Sequence, residues 1–417
     1  MRVFKFGGAS VKDVAGLENV VSVLRHTGAK DLVIVVSAMG KTTNALEQVV
    51  TAYLNRDTTL LDEALEKVRR YHFDIINQLV IVEKQALIAK IRVFFAEIEA
   101  FLTINQSTDP DFIYDQLVPY GELLSSTILQ VVLEQFGIVS KWFDIRTLLK
   151  TDSNFREAKV DWESTQENFK NQIKSGFTYL TQGFIGSCKS GHITTLGREG
   201  SDYTAAIIAF CLNAQSVTIW KDVPGVLNAD PRYFNDTTLL NTISYNEAIE
   251  LAFYGASVIH PKTLQPLQQK GIPLYVKPFL DPSAPGTCIM QGTAIEPFGP
   301  CFILKKDEVL IKLSTLDFSF MLEEHLGEVF NLMARHRVKM DLIQNSAISF
   351  SLCVDDKFNS VSKLIDDLKS RFKIQVVKEV DLYTIRHFTP QALAKTEQGK
   401  EILIKQVAGN TAQLVVK

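Results

Sequence analysis

The sequence predicts an α/β fold with a mostly parallel sheet, followed by a smaller α+β region. Short apolar runs alternate with helix-length segments near the amino terminus, which is the rhythm of parallel strands joined by helices. The run Leu-Val-Ile-Val-Val at 32–36 has no polar position, as in a strand buried on both faces. A Pro- and Gly-rich linker at 281–286 marks a change in element order. We therefore expect a first domain over 1–285 and a second region over 300–417.

The overall composition is typical of a soluble globular protein. With 417 residues, 46% of them hydrophobic and 22% charged, the chain is long enough for two or three domains. A net charge of −3 disfavours a nucleic-acid binder, and no apolar run reaches the about 18 residues of a membrane span. Five scattered cysteines without a Cys-x-x-Cys pair predict reduced thiols and a cytoplasmic location. Histidine spacing predicts no metal held by protein side chains.

The first domain is predicted element by element from its local patterns. Strands are expected at 1–6, 31–36, 138–143, 177–183, 192–196, 216–220 and 272–276. Helices are expected at 17–26, within 58–105, at 122–136, at 203–211 and finally at 245–254. Ligands of open α/β sheets bind beyond the carboxyl ends of the strands. The polar turns after Phe6, Val36, Thr181, Leu196 and Trp220 are therefore expected at such ends.

The second region is predicted to follow a βαββαβ order. Its strands are expected at 309–314, 338–344, 347–354 and 374–380, and its helices at 322–336 and 359–372. A strand at 382–386, a helix at 390–401 and a strand at 411–416 follow, which is less than a second repeat. Two alternatives remain open: this tail completes the first unit, or a second unit is shortened. Because the edges of small sheets are usually covered by pairing, we expect a homodimer or higher homo-oligomer through this region.

A lysine and two glycines end the first predicted strand, in Lys5-Phe6-Gly7-Gly8-Ala9-Ser10. Glycines allow a phosphate to approach the backbone, and successive N–H groups can form an anion-binding nest. Lys5 can add a positive charge next to a transferred phosphoryl group. The Walker spacing is absent, so this segment alone is a weak signal. A strand-ending turn with a solvated lysine is the simpler interpretation of it.

A second polar segment is Gly197-Arg198-Glu199-Gly200-Ser201-Asp202. Arg198 can make a bidentate contact with a substrate carboxylate. Asp202 opens a predicted helix, where Asp202 or Ser201 is a candidate N-cap. Asp202 can alternatively orient an acceptor or bind Mg²⁺. On this segment alone, capping and a functional role are equally supported.

Motif-like segments occur together in one order, at 5–10, 121–125, 181–186, 197–203, 220–226, 230–232 and 255–261. In this order they resemble the aspartate kinases of the amino-acid-kinase superfamily, which carry C-terminal ACT regulatory domains. The resemblance covers most of 1–290 and resumes near the carboxyl terminus. It implies a three-layer αβα catalytic domain, then an ACT-like region with one full unit and a second, apparently shortened one.

The resemblance implies transfer of the ATP γ-phosphoryl group to the β-carboxylate of L-aspartate, with Mg²⁺, opening lysine, threonine and methionine biosynthesis. It places ATP at Lys5, Gly7, Gly8, Ser10, Lys221, Asp222 and Arg232. It places aspartate at Ser37, Thr43, Glu122, Arg198 and Ser201, with Glu122 on the ammonium and Arg198 on the α-carboxylate. Lys5 and Asp202 are implied as catalytic. A carboxylate acceptor, with a pKa of about 4, needs no general base.

Three positions depart from the pattern that the resemblance sets. Ala9 replaces a frequent threonine, and Glu199 a frequent glycine. Glu199 is expected to repel substrate or to point into solvent. Ser257 replaces a lysine that contacts nucleotide in several members, so that role is not transferred. His260 is expected to serve structure rather than bind a ligand.

The C-terminal region resembles the family's effector-binding segment. The residues implied are Gly327 at a helix start, Asp341 for an effector ammonium, and Asn345 and Ser346 beyond it. On the pattern alone, the simpler interpretations are that Gly327 only relieves local crowding and that residues 345–346 only make a turn. Lysine and threonine are both candidate effectors, and loss of regulation is a third alternative.

Two competing functions remain open on the sequence. One is another amino-acid kinase, acting on glutamate, N-acetylglutamate or a nucleotide. The other is a catalytically silent amino-acid sensor that uses the ACT-like region. Retention of Lys5, Glu122, Arg198 and Asp202 disfavours the sensor. Some members of the family are fused to homoserine dehydrogenase, and we expect this chain to be the monofunctional form.

Overall fold

The computed structural model describes residues 1–256, 259–292, 295–317, 319–356 and 359–417. Their backbone forms two compact units. The first comprises Met1–Val226, Leu239–Ile249 and Val258–Pro297, and the second comprises Leu227–Thr238, Glu250–Ser257 and Phe298–Lys417. The predicted linker at 281–286 lies inside the first unit, so this unit continues past the expected boundary at residue 285.

Residues 1–297 form short strands separated by helices. The strands are β1 (Arg2–Phe6), β2 (Leu32–Val36), β3 (Lys141–Trp142), β4 (Lys150–Thr151), β5 (Thr178–Gln182), β6 (Ile185–Cys188), β7 (Ile193–Thr195), β8 (Ser216–Lys221), β9 (Thr242–Ser244), β10 (Leu274–Pro278), β11 (Thr287–Met290) and β12 (Ile295–Glu296). The helices are α1 (Val14–Thr27), α2 (Thr42–Leu54), α3 (Thr58–Gln78), α4 (Lys84–Ile104), α5 (Pro110–Leu117), α6 (Tyr120–Gln135), α7 (Ile145–Leu148), α8 (Trp162–Gln172), α9 (Gly200–Leu212), α10 (Tyr245–Tyr254) and α11 (Pro261–Lys270). No helix within the described ranges combines the length and apolarity that crossing a membrane requires.

A nine-stranded sheet organises the first unit, in the order β12-β9-β11-β10-β8-β1-β2-β5-β3. The six strands from β10 to β3 in that order run parallel to their neighbours. Antiparallel pairing joins β10 to β11 and β12 to β9. The expectation of a mostly parallel sheet is therefore confirmed.

The middle of this sheet is covered on both faces. Every residue of β2 is buried, although successive side chains of a strand point to opposite faces. Phe6 on β1 stacks on Trp220 of β8, with ring centroids 6.3 Å apart. Burial of such large side chains stabilises the fold by about 1.5–3 kcal/mol each. The middle of the sheet is thus shielded from solvent on both faces, as the three-layer fold implied by the family resemblance requires.

Two helices of the first unit differ from the prediction. Helix α10 is confirmed at its predicted bounds, yet α11 follows it, so the 245–254 helix does not close the region. Helix α11 was not predicted because it contains Pro266, and an interior proline normally argues against a helix. Helix α9 starts at Gly200, so both Ser201 and Asp202 lie within it and the predicted N-cap role is wrong for both.

The second unit contains a six-stranded antiparallel sheet, in the order β14-β15-β13-β16-β18-β17. The strands are β13 (Cys301–Thr315), β14 (Lys339–Asn345), β15 (Ser349–Asp355), β16 (Phe372–Arg386), β17 (Ile402–Ala408) and β18 (Thr411–Val416). The helices that follow 301 are α12 (Glu323–His336), α13 (Val361–Leu368) and α14 (Pro390–Glu397). The separate strands predicted at 374–380 and 382–386 are therefore one strand, β16.

The long strands β13 and β16 each belong to two four-stranded sets, one with β14 and β15 and the other with β17 and β18. The second half of β13 pairs with β15 and with 372–377, which gives the predicted βαββαβ unit. The first half of β13 (301–305) pairs with 382–386, which also pairs with β18. The tail therefore does not complete the first ACT-like unit. Its own sheet takes a strand from the segment that precedes that unit, a pairing across about 80 residues that local patterns do not reveal.

Candidate active site

The turns that carry most of the predicted site residues lie at one edge of the parallel sheet. Strands β8, β1, β2 and β5 are neighbours, and Phe6 pairs with both Val36 and Trp220. Their carboxyl ends therefore open side by side, as predicted. The turn after Leu196 differs, because β7 belongs to a separate sheet of order β4-β6-β7.

Two lysines from neighbouring strands converge on one buried carboxylate. Lys5 Nζ lies 2.6 Å from Asp202 Oδ1, and Lys221 Nζ lies 3.4 Å from Asp202 Oδ2. Lys5, the penultimate residue of β1, is 8% exposed, and Asp202, in the first turn of α9, is 2% exposed. Burial raises the pKa of Asp202, but the two ammonium groups outweigh it and hold that pKa below its usual value. The three groups carry one net positive charge, which suits a polyphosphate.

The glycine turn after β1 packs closely against the turn after β2. A Cβ at Gly8 would lie 2.7 Å from the Ala38 carbonyl oxygen, so a side chain there would collide with backbone. The Gly40 N–H donates to the Gly8 carbonyl at 2.9 Å. Gly7 lies beside the Lys5 ammonium, and Ser10 is buried in a 3₁₀ turn at Gly8–Val11. Of the predicted phosphate-binding residues of this turn, Gly7 thus lies against Lys5, while Gly8 packs against the turn after β2.

Glu122 lies in the first turn of α6 with an oxygen free for a donor. Its Oε1 accepts from the Ala38 N–H at 3.2 Å, while its buried Oε2 has no hydrogen-bond partner among the described residues. Burial raises the pKa of Glu122 to about 8, against the opposing effects of the Ala38 N–H and the Lys5 charge. A buried carboxyl group with an unused acceptor is suited to an entering ammonium.

The turn between β7 and α9 is held by a close approach and by an unusual backbone. A Cβ at Gly183 would collide with the buried Ser201 side chain, so only glycine fits there. Glu199 has φ of +54°, the left-handed region that favours glycine. Its Oε2 accepts from the backbone N–H of His260 at 2.9 Å. Glu199 is thus bonded within the protein rather than directed only into solvent, and its effect on a bound substrate stays a prediction.

The other predicted aspartate-binding residues have different surroundings. Ser37 follows β2, where its N–H donates to the Phe6 carbonyl at 3.1 Å, and Thr43 is in the first turn of α2. Both are half-buried. Arg198 is exposed, and the structure gives it no ion pair within the ranges it describes. Its guanidinium is therefore available to a ligand.

The other predicted nucleotide contacts have different surroundings. Lys221 contacts Asp202, and Asp222 beside it is exposed. Arg232 belongs to the second unit, where its guanidinium holds both oxygens of Asp230, with one Nη2–Oδ2 distance of 2.6 Å. Ser257, one of the three departures, lies outside the described residues.

Comparison with known proteins identifies the family. The model of the amino acid kinase family matches residues 1–278. Lysine-sensitive aspartokinase 3 of Escherichia coli K12 is 35% identical over 364 residues, which are 85% of this chain and 78% of that protein. The chain belongs to the amino acid kinase family, in its aspartokinase branch. The expected aspartate kinase is thereby confirmed.

Solved structures of aspartokinases agree along the whole chain. E. coli aspartokinase III in complex with lysine and aspartate, in its T-state, superposes with a TM-score of 0.83 at 28% identity and covers 100% of this chain and 96% of that one. A fused relative also matches: bifunctional aspartokinase/homoserine dehydrogenase 2 of Arabidopsis thaliana is 30% identical over 89% of this chain. The matched region is 42% of that longer protein.

The predicted effector residues of this aspartokinase have mixed surroundings. Asp341 is buried and pairs with Lys305 at 2.5 Å, so its carboxylate already holds an internal ammonium. Gly327 lies in the second turn of α12 rather than at its start, and a Cβ added there would meet no atom within 4 Å. Asn345 ends β14, and Ser346 bonds to Ser349 across a tight turn, with hydroxyl oxygens 2.7 Å apart.

The arrangement of carboxylates and ammonium groups indicates how the site would hold Mg²⁺. No cluster of three or more His, Cys, Asp or Glu side chains with metal-binding geometry occurs within the described part of the chain. Both oxygens of Asp202 face ammonium groups. Mg²⁺ commonly keeps several waters and uses one or two carboxylates together with substrate phosphates. The residues therefore fit an ion that is carried in by the nucleotide rather than one held by a cluster of protein carboxylates.

Two positioning features of the site were missed on the sequence. The convergence of Lys221 on Asp202 depends on β8 and β1 being neighbours, and only the position of Lys221 after a strand hinted at it. The contact from Glu199 to the His260 N–H joins positions 61 residues apart. His260 is the N-cap of α11, and its Nδ1 accepts from the Lys262 N–H at 3.1 Å, consistent with its expected structural role.

Proposed function

We propose that this site transfers the γ-phosphoryl group of ATP to the β-carboxylate of L-aspartate. The observation that carries the proposal is the pair of ammonium groups, Lys5 and Lys221, held on buried Asp202 at the carboxyl edge of the sheet. Transferring phosphoryl groups spread negative charge over their oxygens, and catalysis depends mainly on positioning and charge stabilisation. The two ammonium groups supply that charge, and Gly7, which has no side chain, lies beside the Lys5 ammonium.

Aspartate would be held by its two α-substituents. The buried Oε2 of Glu122 is suited to the ammonium, and the exposed guanidinium of Arg198 to the α-carboxylate. Because the pKa of free Glu122 is about 8, its carboxyl group is mostly protonated at pH 7. An incoming ammonium stabilises the ionised form, so aspartate binding should release a proton. Ser37, Thr43 and Ser201 would line the same pocket.

The transfer itself needs no base from the protein. The β-carboxylate of aspartate is ionised at neutral pH, so an oxygen lone pair is available for attack. Asp202 would hold both ammonium groups at the transfer point, and Lys5 and Lys221 would each donate a further N–H to the phosphoryl oxygens. Mg²⁺, when bound with the nucleotide, would neutralise phosphate charge. Asp222 and Arg232 are proposed as further nucleotide contacts.

We infer further that lysine regulates the chain through its C-terminal unit. The E. coli relative is named lysine-sensitive, and its structure was solved with lysine and aspartate. The proposed effector residues are Gly327, Asp341, Asn345 and Ser346. A homodimer or higher homo-oligomer through the same unit is proposed because β14 and β17 are edge strands of its sheet.

Hydroxamate formation tests the proposed reaction. Hydroxylamine traps an acyl phosphate, so colour that requires L-aspartate, ATP and Mg²⁺ together establishes transfer to a carboxylate. L-glutamate and N-acetyl-L-glutamate serve as matched acceptors and should give no signal. A folded protein that gives signal only with one of these two acceptors would exclude aspartate as the substrate. Repeating the assay with lysine and with threonine identifies the effector.

A further inference from the structure

Helix α5 presents two consecutive side chains to the free edge of β7. In its three-stranded sheet, β7 pairs on one side only, with β6. Gln116 Nε2 donates to the Ile193 carbonyl at 2.9 Å, and its Oε1 accepts from the Ile193 N–H at 3.2 Å. Asp115 Oδ2 accepts from the Thr195 N–H at 2.8 Å, and Oδ1 accepts from the Thr195 hydroxyl at 2.7 Å. These side chains take the place of a neighbouring strand.

Asp115 also holds a second segment against this edge. Its Oδ2 accepts from the Arg156 N–H at 3.0 Å, and the Ala158 N–H donates to the Thr195 carbonyl at 2.9 Å. A Cβ at Gly197 would lie 3.2 Å from the Arg156 carbonyl oxygen, so this segment lies directly beside the turn that carries Arg198. Asp115 therefore binds both the strand that precedes that turn, at Thr195, and the segment that lies beside it, at Arg156.

The same aspartate stands close in the chain to Glu122. Helix α5 ends at Leu117, and α6 begins at Tyr120 with Glu122 in its first turn. The Val118 N–H donates to the Tyr114 carbonyl at 2.9 Å, so the connection between the helices is itself hydrogen-bonded. Movement of Asp115 relative to Thr195 would therefore change the distance between Arg198 and Glu122.

We propose that Asp115 is a positioning residue that sets the separation of Arg198 and Glu122, and with it the recognition of the two charged α-substituents of aspartate. The proposal rests on the roles of Arg198 and Glu122 in the proposed function. Asp115 contacts no reacting atom in it. It acts through the Thr195 strand on one side and through α5 and α6 on the other.

The hydrogen bonds as the structure has them suit an ionised carboxylate. All three groups that meet Asp115 are donors: two backbone N–H groups and one hydroxyl. Asp115 is fully buried, and this burial, opposed by the three hydrogen bonds, raises its pKa to about 6. An asparagine of the same shape can accept from both backbone N–H groups at one oxygen, but its NH₂ group would then face the Thr195 hydroxyl, so both the negative charge and the bond that Thr195 donates to Oδ1 are lost. Asp115→Asn is therefore a sharp test of the position.

The experiment compares Asp115→Asn with Gln116→Glu on the same helix. Both are isosteric exchanges between amide and carboxylate, and both disturb bonds to β7. Asp115→Asn should raise the KM for aspartate about tenfold, with kcat and the KM for ATP changed less than about threefold. Gln116→Glu should change none of the three constants by more than about twofold. Thermal unfolding of both full-length variants checks that each is folded at the assay temperature.

Thr195→Val keeps the inference testable if Asp115→Asn does not fold. It removes only the hydroxyl donor to Oδ1, and it should raise the KM for aspartate about threefold. An unchanged KM for aspartate in the folded Asp115→Asn variant overturns the inference, as does an equal rise in Gln116→Glu. Arg198→Ala, measured in parallel, separates the two levels: a raised KM there with unchanged Asp115→Asn kinetics refutes only the role of Asp115. Absence of aspartate-dependent turnover in the unaltered protein refutes the proposed function itself.

Discussion

Each unit of the molecule contains a lysine paired with a buried aspartate side chain, and the two Nζ–Oδ1 distances are almost the same. In the first unit Lys5 Nζ lies 2.6 Å from Asp202, whose side chain is 3% exposed. In the second unit Lys305 Nζ lies 2.5 Å from Asp341, whose side chain is 4% exposed. Burying both ions of such a pair has a desolvation cost that can exceed their attraction, so neither pair is explained by stability alone.

The third charged group differs between the two pairs. Lys221 adds a second ammonium to Asp202, and the pKa of Asp202 falls below its usual value despite burial. Glu308, a buried carboxyl, is added to Asp341, and burial followed by the Asp341 charge raises the pKa of Glu308. The first cluster therefore favours anions, and the second favours a proton or another cation. The neighbour of a buried ion pair, rather than the pair, decides which ligand charge it accepts.

The largest expected effect comes from removing the ammonium of the first pair. Lys5→Met keeps the length of the side chain but takes one positive charge from the phosphoryl group. We expect kcat to fall about 10²–10³-fold, as when a preorganised charge or donor is removed from an active site. Steady-state hydroxamate assays at saturating ATP and aspartate measure it.

Lys305→Met is the matched control in the second unit. Breaking a buried pair costs about 3–5 kcal/mol wherever it lies, so both variants should lose melting temperature. Only Lys5→Met should lose turnover without effector. An equal loss of kcat in the folded Lys305→Met variant would show that general destabilisation, and not charge at the transfer point, explains both results.

Arg198→Ala separates substrate binding from transfer in the first unit. The charged contact to the α-carboxylate is worth about 1.5–3 kcal/mol, so the KM for aspartate should rise roughly 10–150-fold. The KM for ATP should stay nearly unchanged, since Arg198 is assigned to the acceptor. Arg198→Lys keeps the charge without the bidentate fork, so its KM for aspartate should lie between those of the unaltered chain and of Arg198→Ala. Unaltered aspartate kinetics in Arg198→Ala would remove the assignment.

The elements that the sequence predicts well are those with local causes. The fully apolar run of β2 and the predicted bounds of α10 need only their own residues to be recognised. The glycines after Lys5 likewise indicate a backbone turn beside a cation without any knowledge of distant neighbours. The order of the family-like segments then gives the reaction. Function was thus more accessible than the detailed packing that supports it.

The features that escaped prediction all join distant positions. The approach of Lys221 to Asp202 needs the order of β8 and β1, and the pairing of 301–305 with 382–386 needs the whole C-terminal sheet. Glu199 was expected to face solvent or substrate, because nothing near it in sequence suggests a bond to His260. Hydrophobic periodicity predicts which residues are buried, but not which two segments meet.

Asp341→Asn tests whether the second cluster responds to lysine. The amide keeps the volume of Asp341 but loses the charge that would attract an effector ammonium. We expect the lysine concentration for half-inhibition to rise about tenfold, a usual size for an allosteric coupling, while turnover without lysine is retained. Asp366→Asn, a surface aspartate paired with Lys369 at 2.8 Å in the same unit, is the control and should leave inhibition unchanged. Unaltered inhibition in Asp341→Asn would contradict the effector assignment.

The smallest expected effect concerns the proton held by Glu308. Its pKa is raised in the folded chain, so the folded state keeps a proton that the unfolded chain releases above the ordinary glutamate range. Stability from this group is therefore fully present below about pH 4.5 and declines as the pH rises toward the folded pKa. The cause is the penalty of ionising a buried carboxyl beside Asp341. Glu308→Gln removes that penalty, because an amide does not titrate.

The difference in melting temperature between Glu308→Gln and the unaltered chain should consequently grow with pH. We expect little difference at about pH 5 and a gain of about 3 °C for the variant at about pH 8. Scanning calorimetry at both pH values measures it, with Glu324→Gln, an exposed glutamate of α12, as the control that should show no trend. A constant difference from pH 5 to pH 8 would mean that Glu308 is already ionised in the folded chain. The second cluster would then carry a full extra negative charge, and its contrast with the cationic cluster around Asp202 would be larger than we infer.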